Sequence, residues 1–330
     1  MALDIAIAGA GAIGFYVGGR LAQAGHRVRC LARARLCDEV LTHGLTLSDF
    51  EGRNDLISDL EVTDDAAVLG TCDLILVTVK SAATAEMGAL VAQNAKSDAQ
   101  VISLQNGVTN MAILRDALPH HDVRAGMVPF NVTKTSPGTF HRGTSGEILI
   151  AQGSRPLPDL SAPGLTWQEA DDFDAVQWGK LLVNLNNALN ALSDLPLLTQ
   201  LHDRAWRRLM ADQMSEALRV FKAASITPAR FTAAPPALVP VLLRLPTPIF
   251  RRIAAQMLTI DPKARSSMWD DLTLRRRTEI DALQGAVLEL GERHGVPCPL
   301  MTRVVDAVRA AELQEKGPPR LLPTDLFSQA

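Results

Sequence analysis

Three glycines near the start of the chain have the spacing found in dinucleotide-binding turns. Gly9, Gly11 and Gly14 form G-x-G-x-x-G directly after an apolar run at 4–8, and they open a helical segment. The first allows a tight turn, the second lets a pyrophosphate approach the backbone, and the third lets helix and strand pack closely. Free N–H groups at the helix N-terminus attract phosphate. The motif therefore predicts a dinucleotide site formed by Gly9, Ala10, Gly11, Ala12, Ile13 and Gly14.

The end of the second predicted strand favours NADP over NAD. An NAD site usually has an acidic residue about 20 residues beyond the glycines, on the adenosine ribose. Here that region holds Arg33 and Arg35, and no acid precedes Asp38. A guanidinium suits a 2′-phosphate, although both arginines could instead be solvated loop residues. Lys80, at the end of another predicted strand, is either a second cation for the cofactor or an ordinary surface lysine.

Amides and one lysine form the next group of candidates. Asn106 follows a predicted strand, where ligands of open α/β sheets bind, although Asn-Gly is also ordinary turn chemistry. Lys180 and Asn184 are four residues apart, hence on one face of a predicted helix that Asn187 extends by a turn. A single cation followed by amides is unusual for a solvent-facing surface. Spacing alone leaves a surface lysine with helix-interior asparagines equally open.

Ser267 and Glu279 lie on either side of a predicted helix break. Thr278, with Asp281 three residues later, resembles a capping box, so a helix should begin near Thr278 and the preceding one should end at 275–277. In one unbroken helix Ser267 and Glu279 would be ~18 Å apart, at about 1.5 Å per residue. A break lets the chain turn back, so that both side chains can face one cleft.

Two patterns divide the chain into domains. Short apolar runs separated by helix-length segments predict a parallel sheet covered on both faces, and these runs lie at 4–8, 27–32, 73–80, 100–105 and 147–152. From about Asp174 the periodicity is helical and no further strand is predicted. We therefore expect an α/β fold with a Rossmann dinucleotide-binding domain at 1–173, followed by an all-helical substrate and catalytic domain at 174–330.

Composition excludes several classes of function. A chain of 330 residues has room for about two domains. The 33 Lys+Arg against 36 Asp+Glu give a net charge of −3, which provides no field to attract nucleic acid. The four cysteines form no CxxC or Cys/His cluster, so we expect no metal site, no disulfide framework and a reducing cytoplasm. The N-terminus is interpreted as a first strand rather than an export signal.

An apolar segment at 233–250 could be mistaken for a membrane element. Arg244 and five prolines interrupt it, and no uninterrupted run approaches the ~20 residues that a spanning helix needs. We predict no membrane span, and interpret the segment as a pair of short packed helices, or as a lid or a homodimer contact.

Taken together, these residues resemble the ketopantoate reductase family, enzymes that reduce 2-dehydropantoate with NADPH on the route to pantothenate. The matching motifs occur in the family's order over nearly the whole chain. They are GAGAIG at 9–14, VTVKS at 77–81, QNGV at 105–108, WGKLLVN at 178–184, SSMWDDL at 266–272, TEIDALQG at 278–285 and HGVPCP at 294–299.

The resemblance implies a Rossmann domain joined to a helical domain like that of phosphogluconate dehydrogenases, and a role for each candidate residue. Lys180 would be the general acid, and Asn184 and Ser267 would hold the small-molecule α-keto acid. Asn106 would touch both ligands, and Glu279 would lie near the nicotinamide ribose and the lysine. An unperturbed lysine pKa of ~10.4 leaves the amine protonated at neutral pH, so we expect Lys180 to act without tuning.

One departure from the family leaves the substrate open. Family members commonly carry a further asparagine one turn beyond the first, and that position here is Ala188, with Asn187 beside it. A reductase of another α-keto acid on the same scaffold is therefore the main alternative. A non-catalytic dinucleotide-sensing protein is the second, because a sensor would need the glycine turn but not Lys180 with Asn184.

Overall fold

The computed structural model describes residues 2–255, 262 and 264–327. The chain divides into two units, Met1–Phe173 and Asp174–Ala330. The strands of the first unit are β1 (Asp4–Ala8), β2 (Arg27–Leu31), β3 (Leu45–Asp49), β4 (Asn54–Ile57), β5 (Leu60–Thr63), β6 (Leu74–Val77), β7 (Gln100–Ser103), β8 (Asp122–Met127), β9 (Val132–Ser136), β10 (Thr139–Arg142), β11 (Ile148–Ala151) and β12 (Trp167–Ala170). Its helices are α1 (Ala12–Gln23), α2 (Ala34–His43), α3 (Thr84–Asn94) and α4 (Asn110–Ala117), with 3-10 turns at Ala66–Thr71 and Ser81–Ala83.

Eight of these strands form one sheet in the order β12-β11-β8-β7-β6-β1-β2-β5. Six neighbouring strands of this sheet, β8-β7-β6-β1-β2-β5, are parallel to one another. This is the strand order of a doubly wound dinucleotide-binding sheet. Strands such as β6 are buried along their whole length, as a sheet covered on both faces requires. The prediction of a parallel strand is wrong for the run at 147–152. There β11 runs antiparallel to β8, because the chain reaches it without the helical crossover that a parallel return needs.

A second sheet, which the sequence patterns do not predict, packs against α1. Its four strands have the order β4-β3-β10-β9. The rings of Phe15 on α1 and Phe140 on β10 stack with centroids 5.2 Å apart. A Cβ atom on Gly18 would lie 2.8 Å from Ile7 of β1, and one on Gly19 would lie 2.7 Å from Leu47 of β3. The helix is therefore packed between the two sheets, and adjacent glycines permit both close approaches.

The described part of the second unit is helical. Its helices are α5 (Phe173–Asn184), α6 (Asn186–Ser193), α7 (Leu197–His202), α8 (Arg204–Ala223), α9 (Val239–Arg244), α10 (Thr247–Ile253), α11 (Ser267–Thr273), α12 (Ala286–Arg293), α13 (Pro299–Gln314) and α14 (Pro323–Leu326). A 3-10 turn at Pro236–Leu238 precedes α9, and a π-helical turn at Asp281–Gly285 leads into α12. The predicted continuous helix after Asp174 is interrupted at Leu185, whose carbonyl accepts hydrogen bonds from Gln213 Nε2 (2.9 Å) and Gln284 Nε2 (2.8 Å).

The proline-rich segment at 233–250 forms short helices, as predicted. Pro236, Pro240 and Pro248 each lie in the first turn of a helical element, where a missing N–H and a fixed φ are tolerated. No helix of the described residues is long and apolar enough to cross a membrane. A role for this segment as a lid or dimer contact stays a prediction.

Candidate active site

The glycine turn connects β1 to α1 with each glycine in a different environment. Gly9 has a φ of +86°, and a Cβ atom there would lie 2.0 Å from Cγ1 of Val79. A Cβ atom on Gly14 would lie 2.6 Å from Thr78 Oγ1. At Gly11, the N-cap of α1, a Cβ atom would meet nothing within 4 Å, and no side chain caps the helix. The turn thus packs tightly at its first and third glycines and leaves space at the second, where a phosphate can approach.

The loop after β6 is bonded to this turn. Thr78 Oγ1 donates to the carbonyl of Gly9 at 3.0 Å, and Thr78 N–H donates to the carbonyl of Ala8 at 2.9 Å. Val79 follows against Gly9, and Lys80 is the exposed N-cap of the next 3-10 turn. The structure therefore brings Lys80 to the glycine turn, at the carboxyl edge of the sheet.

A network of amides brings Asn106 to the same edge. Gln105 Nε2 donates to the carbonyl of Val79 (3.0 Å) and to Thr84 Oγ1 (2.7 Å), which ties the loop after β7 to the loop after β6. Asn110 Nδ2 donates to the carbonyl of Asn106 at 2.6 Å. Sequence reasoning missed Gln105 and Asn110 as positioning residues. Their signal was the polar run QNGVTN directly after a buried strand.

The end of β2 presents arginine and no carboxylate to this region. The carbonyl of Leu31 accepts hydrogen bonds from the N–H groups of Gly9 (3.0 Å) and Ala10 (2.8 Å), so the end of β2 is attached to the glycine turn. Arg33 follows as the exposed N-cap of α2, and it forms no ion pair with a side chain of the described residues. Arg35 is also exposed, as the second residue of the helix.

In the second unit, a close backbone contact lies beside Lys180 on α5. Ala229 N–H donates to the carbonyl of Ala175 at 2.7 Å, and a Cβ atom on Gly179 would lie 2.3 Å from the carbonyl oxygen of Ala229. The chain around Ala229 therefore lies directly on the helix, which explains the glycine before Lys180. Burial lowers the pKa of the Lys180 amine. The expectation of an untuned lysine is wrong, because tertiary packing removes water from this stretch of α5.

The start of α11 is anchored on α6. Ser266 N–H donates to Oδ1 of Asn190, and Ser266 Oγ donates to the carbonyl of Asn187, both at 2.9 Å. Ser266 Oγ also accepts the N–H of Trp269 as the helix N-cap. Ser267 is the exposed first residue of α11. The structure thus brings Ser267 close to Asn187, while Ser266, which sequence reasoning did not single out, makes the anchoring bonds.

The predicted break before Glu279 is present, but its capping partner differs from the prediction. The helix α11 ends at Thr273, and Thr278 Oγ1 accepts the N–H of Ile280 at 3.2 Å. The Thr278 N–H donates to Glu312 Oε1 at 2.7 Å, whereas Asp281 pairs with Arg309. The capping-box assignment of Asp281 is therefore wrong, because the Thr278 N–H is bonded to the carboxylate of Glu312 in α13 instead.

The bond from Gln284 to Leu185 attaches the helix that begins after Glu279 to the junction of α5 and α6. Lys180 precedes Leu185 by five residues, and Glu279 precedes Gln284 by five residues. Both candidate residues thus lie near this junction. The shared cleft of Ser267 and Glu279 stays a prediction.

Side chains that could bind a metal do not cluster in the described part of the chain. No group of three or more His, Cys, Asp or Glu side chains there could hold a metal ion. The four cysteines, all free and buried, are Cys30, Cys37, Cys72 and Cys298. Burial raises the pKa of the Cys298 thiol to about 11, so this thiol is protonated at neutral pH.

Comparisons with known proteins agree over both units. Residues 5–155 match the family model described as ketopantoate reductase PanE/ApbA, and residues 172–312 match the model of its C-terminal part. A 2-dehydropantoate 2-reductase of Halobacterium salinarum is 27% identical over 326 residues, which cover 94% of this chain and 99% of that protein.

Two solved structures share the fold. A PanE/ApbA family ketopantoate reductase from Ralstonia eutropha JMP134 superposes with a TM-score of 0.81 at 28% identity, covering 95% of this chain and 100% of that one. D-mandelate dehydrogenase, in a ternary structure with NADH and anilino(oxo)acetate, gives a TM-score of 0.79 at 23% identity, covering 95% and 99%. The chain belongs to the ketopantoate reductase family and is an oxidoreductase of the 2-dehydropantoate 2-reductase type.

Proposed function

We propose that this protein reduces 2-dehydropantoate to (R)-pantoate with NADPH, a step of pantothenate biosynthesis, and that Lys180 is the general acid. The family match over both units supports the reaction type. The chief structural support is a lysine whose pKa is lowered by burial, on a helix that also presents the amide of Asn184. Active sites are where such perturbed groups concentrate.

The first unit has the features that a nicotinamide dinucleotide requires. The open space at Gly11 and the uncapped start of α1 fit a pyrophosphate, since helix N-termini stabilise phosphate charge. Lys80 and Asn106 flank the turn at the carboxyl ends of β6 and β7, where ligands of open α/β sheets bind. When bound, the reduced nicotinamide supplies the hydride.

Selectivity for NADPH is assigned to Arg33. No acidic side chain stands between β2 and Asp38 to bind a ribose 2′-hydroxyl. An exposed guanidinium at the start of α2 can instead make charge-assisted hydrogen bonds to a 2′-phosphate. Arg35, the second residue of the same helix, would add charge two residues farther from the end of β2.

Reduction of a ketone places negative charge on its oxygen, and the ammonium of Lys180 stabilises that charge and donates the proton that completes the alcohol. A lowered pKa brings the donor closer to the working pH, which favours proton transfer. Asn184 and Ser267 bind the keto acid through an amide and a hydroxyl, neither of which competes for the proton. Glu279 directly precedes the helix bonded to the α5–α6 junction, and orients the lysine and the nicotinamide ribose.

Reduction of a different α-keto acid is the second candidate function. Ala188, at the position where the family commonly carries asparagine, is fully buried in α6. An amide hydrogen bond to the substrate at that position is therefore missing. D-mandelate dehydrogenase, which shares the fold, acts in the same class of chemistry on an aromatic 2-hydroxy acid.

A steady-state assay of NADPH oxidation decides between these functions. The substrates are 2-dehydropantoate, phenylglyoxylate, 2-oxoisovalerate and pyruvate, each measured with NADPH and NADH. We expect kcat/KM for 2-dehydropantoate with NADPH to exceed the others by at least about tenfold, since one or two missing contacts discriminate by that order. A higher kcat/KM for phenylglyoxylate would establish the second candidate, and no turnover of any keto acid would contradict both.

A further inference from the structure

Asp194, at the end of α6, accepts hydrogen bonds from three side chains of two other segments. Its carboxylate accepts Trp269 Nε1 at 2.7 Å, Arg265 Nη1 at 3.2 Å and Arg320 Nε at 2.8 Å. Its backbone carbonyl accepts Arg265 Nη1 as well, at 2.6 Å. The residue itself has a left-handed conformation, with φ at 55°. One short acidic side chain therefore joins α6 to the start of α11 and to the C-terminal segment.

Two of these donors stand on either side of the serine pair that begins α11. The Arg265 guanidinium lies 4.4 Å from the centroid of the Trp269 ring, so the two donors also stack on each other. Ser266, between them, is fixed by its bonds to α6. Ser267 is the residue of this stretch that stays exposed. Its neighbours on both sides are held, so the backbone that carries its hydroxyl is held with them.

The carboxylate of Asp194 remains charged throughout the neutral range. Burial by itself would raise the pKa of Asp194. The hydrogen bond from the Trp269 indole N–H and the positive charges of Arg320 and Arg265 together outweigh burial, so the pKa is lowered. Hydrogen bonds to an ionised acceptor are shorter and stronger than neutral ones. The cluster is therefore a rigid support and not only a cap that ends α6.

We propose that Asp194 is a positioning residue for substrate binding, which holds residues 265–269 so that the Ser267 hydroxyl is presented to the keto acid. The inference rests on the proposed function, in which Ser267 binds that substrate. It assigns Asp194 no contact with substrate or cofactor. Its effect should therefore appear in the KM of the keto acid and pass through Ser267.

A double-mutant cycle tests this role. Asp194→Asn is the main variant, because asparagine also adopts the left-handed conformation and so isolates the loss of charge. We expect Asp194→Asn to raise KM for the keto acid about fivefold, and Ser267→Ala about tenfold or more, with the Kd of NADPH unchanged. In the Ser267→Ala background, Asp194→Asn should add little, because a positioning effect is lost when the positioned group is absent.

Two further variants separate positioning from general destabilisation. Trp269→Phe keeps an aromatic side chain but removes the indole N–H together with the five-membered ring, and a smaller rise in KM in the same direction supports the proposal. Asp212→Asn breaks another carboxylate–guanidinium pair of the same unit, with Arg244 at 2.7 Å, and should leave KM unchanged. The indole ¹H–¹⁵N resonance of Trp269 should move in Asp194→Asn and stay in Asp212→Asn.

Additive effects of Asp194→Asn and Ser267→Ala on KM, or no effect of Asp194→Asn, would overturn the positioning role while leaving the proposed function intact. Absence of NADPH-dependent keto acid reduction by the unaltered protein would instead contradict the proposed function itself. An equal rise of KM in Asp212→Asn would show a general loss of packing and also overturn the role of Asp194.

Discussion

Replacing Arg33 by alanine should weaken the binding of NADPH far more than that of NADH. Arg33 is exposed at the start of α2, beyond the end of β2, and forms no ion pair with the described side chains that would compete for its charge. A hydrogen bond to a charged group contributes about 1.5 to 3 kcal/mol, which is roughly ten- to a hundredfold in affinity. Because salt screens an exposed charge, we expect the lower end of this range at physiological ionic strength.

The assay is a titration of the unaltered protein and of Arg33→Ala with each cofactor, at low and at physiological salt. The Kd of NADH divided by the Kd of NADPH should be smaller in the variant than in the unaltered protein. The difference should be larger at low salt. Arg35→Ala is the matched control. Arg35 lies two residues beyond Arg33, and helix residues i and i+2 do not face each other, so its loss should change the ratio less. Equal weakening of NADPH and NADH in Arg33→Ala would refute the assignment and direct attention to Lys80.

Three further outcomes follow from the structure. Burial lowers the pKa of Lys180, so the protonated acid form is lost at a lower pH than for an ordinary lysine. As the pH rises, kcat/KM for reduction should therefore begin to decline before the ordinary lysine pKa of ~10.4 is reached. Lys180→Arg should move that decline to higher pH. Gly179→Ala should destabilise the fold by about 1 to 3 kcal/mol through its clash with Ala229, measured by thermal unfolding, while the control Gly285→Ala, whose new Cβ has ordinary contacts, should not. Arg275→Gly should raise stability by roughly 1 kcal/mol, because a non-glycine residue there has a φ of 53° at the end of α11; an unchanged melting temperature would contradict this.

The parts of the site that the sequence predicts are those fixed by local chemistry. The strand Asp4–Ala8, the glycine turn and the helix that follows depend on neighbours within about two dozen residues, and the structure has them at the predicted positions. The break before Glu279 is likewise a local signal, carried by Thr278.

Features set by distant contacts could not be predicted in this way. The second sheet pairs β3 with β10, strands about ninety residues apart, and their short alternating patterns are weak individually. The cap on Thr278 comes from Glu312 in another helix. The need for Gly179 arises where residue 229 lies on α5, and the lowered pKa of Lys180 arises from burial; no spacing along α5 reveals either. The residue types along the chain indicated which side chains could do chemistry, and contacts between distant residues determined the surroundings of those side chains.

The turnover of Lys180→Ala measures the central claim most directly. Loss of the general acid removes both the proton and the positive charge that stabilise the developing alkoxide, and general acid catalysis contributes about 10² to 10⁴ in rate. We predict that kcat with 2-dehydropantoate falls by at least about that factor, while the Kd of NADPH changes little because the glycine turn proposed to bind its phosphates belongs to the other unit. A correctly folded Lys180→Ala protein that retains most of its kcat would contradict the account.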